Sequence, residues 1–206
     1  MNIVFDLDST LTTIEGIDEL GKLKNVGTEI EVLTNKAMNG EISLEEVFKL
    51  RLGIIQPNQS DLQKIAEKYL ENVTPGAYET VAELQKEHTV YMVTGGYYLC
   101  AKEIADALQI KTWYSNRLLF DNSGNYLGID ETIPLWQNHG KAFCVSEIRK
   151  LSPQKTIMVG DGHSDLEANA DIFICFAGVT HRESVAQHAD FTISDLSEIP
   201  AIINKL

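Results

Sequence analysis

Basic residues are scarce in this sequence: 17 Lys plus Arg stand against 30 Asp plus Glu over 206 residues, a net charge of -13. That balance argues against a nucleic-acid partner, because phosphate-backbone contacts call for a basic patch. It also poses a problem for any anionic substrate, which a divalent cation and a few well-placed side-chain cations solve by setting the local field. Cysteine is sparse as well. Cys100, Cys144 and Cys175 are odd in number, scattered and without metal-ligand spacing, the pattern of reduced thiols in a cytoplasmic protein. Long apolar runs are absent, so no membrane span is expected. A signal peptide is not expected either, since Asp6 and Asp8 follow Met1 almost at once. Repeats and low-complexity linkers are lacking too. What is present, 44% apolar residues, suffices for a buried core and excludes a disordered chain.

Short apolar runs alternate with helical patterns, which predicts an α/β fold with a parallel sheet. Strands are expected at 3–5, 90–93, 156–159 and 172–176, each continuously apolar, as in sheets covered on both faces. Helices are expected near 77–86, 99–108 and 141–150, and a hairpin turns around Asn122-Ser123-Gly124-Asn125. Residues 14–72 break the alternation. They carry helical periodicity without a strand, so they are expected to form a small helical cap, with 1–13 and 73–206 as the α/β core. Ser43 and Glu46 match a capping box that starts one cap helix.

Four segments carry chemistry. Asp6 and Asp8 follow the first strand in Phe5-Asp6-Leu7-Asp8-Ser9-Thr10. Two carboxylates there are costly unless compensated, and Mg2+ takes oxygen ligands of this kind. Thr94-Gly95-Gly96 ends the second strand with a hydroxyl and bare backbone N–H groups, which suits either a phosphate cradle or a tight turn needing glycine. Lys141 opens a helix, where its charge opposes the dipole unless an anion is near; a solvated lysine is the plainer reading. Asp161 and Asp165, separated by Gly162-His163-Ser164, fit a hard-cation site, although Asp165 alone could simply complement a helix N-terminus. Ligands bind outside the carboxyl ends of strands in open α/β sheets, so these segments can converge.

Together the four segments, in this order, resemble the haloacid dehalogenase superfamily over nearly the whole chain. The resemblance implies that Asp6 attacks phosphorus to form an aspartyl-phosphate, and that Asp8 protonates the leaving oxygen and later activates water. It further implies Mg2+ held by Asp6, the backbone carbonyl of Asp8 and Asp161, with Asp165 in support. Ser9, Thr94, Gly95, Gly96 and Lys141 are then the phosphate-binding residues. The physical logic agrees, since covalent catalysis divides one difficult displacement into two easier ones.

Substrate class follows from residues 14–72. On a helical wheel Leu44, Val47, Phe48 and Arg51 share one face, which puts a guanidinium in an apolar stripe. Such an arginine either snorkels to water or grips a carboxylate bidentately. Glu15 supplies a complementary charge for an ammonium, and a solvated acid at a helix start is the alternative. Together with phosphate at Asp6, these describe a phosphorylated amino acid. Glu15, Ala37-Met38-Asn39-Gly40, Leu44, Arg51, Ser115-Asn116-Arg117-Leu118 and Asp130-Glu131-Thr132 resemble the phosphoserine phosphatase family. That resemblance implies hydrolysis of O-phospho-L-serine, the last step of serine biosynthesis; the sequence leaves monomer or homodimer open. It adds Met38, Asn39, Leu44, Ser164 and Arg182 to Glu15 and Arg51 as substrate contacts. Thr94 stands where serine is more usual, and Leu44 where an aromatic can occur. Rival expectations are phosphoryl transfer to an alcohol such as homoserine, hydrolysis of another small phosphomonoester, or a phosphate-responsive binding module. The paired Asp6 and Asp8 disfavour the last, because Asp8 stands where leaving-group and water chemistry need a group.

Overall fold

The computed structural model describes residues 1–38 and 41–206, with the side chains at 35, 37 and 38 outside that description. Its strands are β1 (Asn2–Phe5), β2 (Thr89–Tyr97), β3 (Thr112–Asn116), β4 (Leu118–Phe120), β5 (Tyr126–Ile129), β6 (Thr156–Gly160), β7 (Ile172–Phe176) and β8 (Phe191–Ile193). Six of them form one parallel sheet in the order β3-β2-β1-β6-β7-β8. The sheet side chains alternate between two cores. Ile3, Phe5, Met92, Ile157 and Val159 face one layer; Val4, Tyr91, Val93, Met158 and Cys175 face the other. Burial on both faces explains why these strands are apolar throughout.

The helices are α1 (Gly16–Leu23), α2 (Gly27–Met38), α3 (Leu44–Ile55), α4 (Gln59–Glu71), α5 (Ala77–Leu84), α6 (Tyr98–Ala107), α7 (Gly140–Leu151), α8 (His163–Leu166), α9 (Glu183–Ala186) and α10 (Ile199–Ile203). Helices α1 to α4 all lie between β1 and α5. The chain leaves and returns at one point: Thr12 bridges Val73, Thr13 N donates to Asn72 O at 2.8 Å, and Thr74 N to Leu11 O at 2.9 Å. Ser43 caps α3 by accepting from Glu46 N at 3.1 Å, as the sequence predicts. Helix α4 packs across onto α6, tying this segment to the sheet layer.

Strand order places the site. From β1 the chain runs to β2 and β3 on one side, then crosses to β6, β7 and β8 on the other. Successive connections that diverge from neighbouring strands leave a crevice beyond their carboxyl ends. The segments after β1 and β6 and the end of β2 all reach it. Among the described residues no helix is long and apolar enough to cross a membrane.

Of the two readings of Gly95-Gly96, a phosphate cradle or a tight turn, the turn is corrected. Strand β2 continues through both residues to Tyr97, and neither has a positive φ. The glycine serves proximity instead: a Cβ at Gly96 would lie 3.0 Å from Asp8 Oδ2 and 3.1 Å from Thr94 Oγ1. Strands β3 and β8 were not expected either.

Candidate active site

Beyond β1 the chain makes a tight helical turn over Leu7–Leu11, with Ser9 in the left-handed region at φ 52. The turn presents Asp6 and Asp8 to a cavity of 190 Å³. Lys141, 7% exposed, reaches it from the first turn of α7, with Nζ 2.8 Å from Asp6 Oδ1 and 2.6 Å from Asp165 Oδ1. Burial alone works against the ammonium, but Asp165 and Asp6 outweigh it and hold its pKa above the ordinary lysine value. Gly140 permits that approach, since a Cβ there would fall 2.3 Å from Pro134 O.

Asp161 and Asp165 arrive from the loop after β6. With Asp6 they form a buried trio whose ligand atoms all lie within 4.8 Å of one another. Burial first and Asp6 next push Asp161 up to about 6 and Asp165 up to about 7. Asp165 Oδ2 accepts from Gly162 N at 3.1 Å. Gly160 must lack a side chain, because a Cβ would sit 2.2 Å from Asp165 Cγ. Three buried carboxylates that offer oxygen donors only are a donor set that fits a hard divalent cation.

Asp8 is held differently. Its Oδ1 accepts from Gly16 N at 2.8 Å and from the Tyr69 hydroxyl, while Thr94 Oγ1 donates to Oδ2 over 3.3 Å. Burial and then Asp6 raise its pKa above the ordinary carboxyl value.

The predicted residues divide. Asp6, Asp8, Glu15, Leu44, Arg51, Gly95, Gly96, Lys141 and Ser164 all line the one cavity. Arg51 donates to Thr34 Oγ1 at 3.2 Å, and its Nε is buried without a hydrogen-bond partner. Thr94 is fully buried and engages Asp8 and Gly96 N rather than the cavity. Ser9 donates to Glu15 Oε1 at 2.6 Å. Arg182 stands on Asp161, Nε to Oδ2 at 3.0 Å, with Glu15 Oε1 3.9 Å from its Nη2. It does not line the cavity. The side chain of Met38 and all of Asn39 lie outside the described residues.

Sequence reasoning missed Tyr69, Tyr97 and Trp136. Tyr97 and Trp136 wall the cavity, and Tyr69 bonds Asp8 from beneath. Tyr69 carried no signal, because its spacing from Leu62, Ile65 and Ala66 is that of an ordinary core stripe.

A family model described as haloacid dehalogenase-like hydrolase matches residues 1–172. A chloroplastic phosphoserine phosphatase of Arabidopsis thaliana is 39% identical over 99% of this chain and 71% of its own length. Phosphoserine phosphatase of Rattus norvegicus is 36% identical over 96% of this chain and 90% of its own. The solved structure of a phospho-aspartyl intermediate analogue of phosphoserine phosphatase superposes with TM-score 0.84 at 27% identity, covering 98% of this chain and 97% of that one. The chain therefore belongs to the haloacid dehalogenase-like hydrolases, among relatives that are phosphoserine phosphatases.

Proposed function

We propose that this phosphoric monoester hydrolase is a phosphoserine phosphatase, converting O-phospho-L-serine to L-serine and phosphate. The observation that carries the reading is the cavity wall. Arg51, with an unpartnered buried Nε, faces the same 190 Å³ space as Glu15 and the Asp6–Lys141 pair. A guanidinium for the carboxylate, a carboxylate for the ammonium and the Lys141 ammonium for the phosphate together describe the substrate. Residues 14–72 act as its cap, with 1–13 and 73–206 as the catalytic core.

In this reading Asp6 attacks phosphorus and becomes the aspartyl-phosphate. Asp8 enters the first step protonated, as its raised pKa favours, gives its proton to the leaving serine oxygen, and takes one back from water in the second step. Lys141 balances the negative charge of the transferring group, with Gly95 and Gly96 lining the same cavity. Asp6, Asp161, with Asp165 in support, and the Asp8 carbonyl would hold Mg2+, which supplies charge neutralisation to the phosphoryl group when bound. Arg182 then serves Asp161 and Glu15 from behind. The three free, buried cysteines suit a cytoplasmic enzyme.

The test is phosphate release over a panel of phosphorylated amino acids, sugars and nucleotides, with Mg2+ and with EDTA. Phosphoserine should lead the panel, and chelation should abolish turnover. Preference for a sugar or nucleotide phosphate would overturn the substrate, and product analysis with added alcohol separates hydrolysis from transfer.

A further inference from the structure

Tyr69 lies on α4, far in sequence from every segment that carries chemistry, and its side chain is fully buried. Its hydroxyl is nevertheless spent on one carboxylate oxygen, Asp8 Oδ1. The surroundings are built around that contact. A Cβ at Gly16 would fall 2.2 Å from the Tyr69 oxygen, so residue 16 must be glycine for the hydroxyl to fit. The same Gly16 adds its backbone N–H to Oδ1 at 2.8 Å. Two donors occupy both lone pairs of Oδ1, so that oxygen cannot carry a proton. Oδ2 has only the longer 3.3 Å contact from Thr94, and Asp8 lines the cavity.

We propose that Tyr69 is a positioning residue that, with Gly16 N, locks Asp8 Oδ1 as an acceptor and makes Oδ2 the oxygen that moves the proton. The inference rests on the phosphatase reading above. As an Asp6 oxygen bonds to phosphorus and the P–O ester bond breaks, the Oδ2 proton passes to the departing alkoxide, releasing a neutral alcohol. In the second step water gives a proton to Oδ2 while its oxygen bonds to phosphorus, and the Asp6–phosphate bond breaks. Both donors to Oδ1 come from helices α1 and α4, between residues 14 and 72. Alignment of the acid is therefore set by helices α1 and α4 rather than by the nucleophile's own strand.

The test uses leaving groups of different basicity, because only a poor leaving group needs a well-aligned acid. kcat/KM reports the steps up to ester cleavage and is measured for phosphoserine, phenyl phosphate and p-nitrophenyl phosphate in Mg2+. Tyr69→Phe should lower the first two by about tenfold or more, within what a general acid supplies, and leave p-nitrophenyl phosphate within about twofold. Gly16→Ala tests the same contact from the other side should Tyr69→Phe fold poorly, and the same split is expected. Equal loss on all three esters in a folded variant would mean that Tyr69 only packs, and no loss on any would mean the contact is idle; either result overturns the inference. Phenyl and p-nitrophenyl phosphate carry no amino acid. A wild type that ignores phosphoserine, with a Tyr69→Phe variant that still loses phenyl phosphate and spares p-nitrophenyl phosphate, would sink the proposed substrate and leave this inference standing.

Discussion

Arg51 is where the substrate is most exposed to challenge. Its guanidinium lies on a helix face with Val47 and Phe48, both buried, yet Nε finds no hydrogen-bond partner within the protein. Leaving a buried donor unpaired is unfavourable unless a ligand completes it. Arg51→Ala should therefore reduce phosphoserine turnover roughly 30- to 1000-fold in kcat/KM, the loss of a charge-assisted bidentate contact of about 2–4 kcal/mol. An aryl phosphate without a carboxylate should be spared. Glu15→Gln should show the same selectivity through the ammonium. Equal loss on both substrates would return Arg51 to a supporting role in α3. At this scale the sequence was informative where a residue was chemically out of place, as with an arginine in an apolar stripe. It was silent for Tyr69, whose ring belongs in the core and whose single hydroxyl does the chemistry-facing work.

Among the elements, α4 has the most to hold, because it brings Tyr69 to Asp8. Its start is a reciprocal box: Asn58 Oδ1 accepts from Asp61 N at 2.8 Å, and Asp61 Oδ2 accepts from Asn58 N at 2.9 Å. Lys24 Nζ reaches the same Asp61 oxygen at 2.9 Å, joining α4 to the end of α1. Asp61→Ala should cost about 1–2 kcal/mol of stability, because the Asn58 N–H and Lys24 both lose their acceptor. Burial alone would raise the Asp61 pKa, but Lys24 and the Asn58 backbone outweigh it and hold it below the ordinary value. A depressed folded pKa means that this contribution is present above the unfolded value of about 4 and fades as pH falls through the folded one. Melting curves of wild type and variant should thus converge under acid conditions and stay apart at neutral pH. The four strands with continuous apolar runs were legible, as was the Ser43 cap. β3 was not, because an edge strand reading Thr-Trp-Tyr-Ser-Asn lacks a two-sided apolar run, and β8 is only three residues long. At Gly95-Gly96 the dipeptide suits a turn, but the chain stays extended there and Gly96 makes room for Asp8 within a strand.

For the whole molecule the governing fact is negative charge gathered at one point. Asp6, Asp161 and Asp165 are buried together, and Asp161 and Asp165 are held up to about 6 and about 7, by burial first and Asp6 next. Carboxyls raised in the folded state bind more protons than in the unfolded one, so their contribution is lost as pH rises through those values. The metal-free protein should therefore lose thermal stability between about pH 4 and pH 7. Mg2+ should remove that loss and raise Tm, by about 2.7 kcal/mol of stabilisation at a hundredfold excess over Kd. A metal-free protein whose stability is flat over that range and unmoved by Mg2+ would contradict the cation site. Convergence of the four chemical segments was the part no spacing revealed, because it depends on β1 lying between β2 and β6. That order is a property of the sheet rather than of any motif.

The central claim is that Asp6 is the nucleophile of a phosphoserine phosphatase. Its most direct test is the initial rate of phosphate release from O-phospho-L-serine in Mg2+, wild type against Asp6→Asn, with circular dichroism showing both folded. Wild type should turn over. The amide should be slower by several orders of magnitude, the scale seen when a covalent nucleophile is removed. A variant within about tenfold of wild type, a barrier change of only ~1.4 kcal/mol, would contradict the claim.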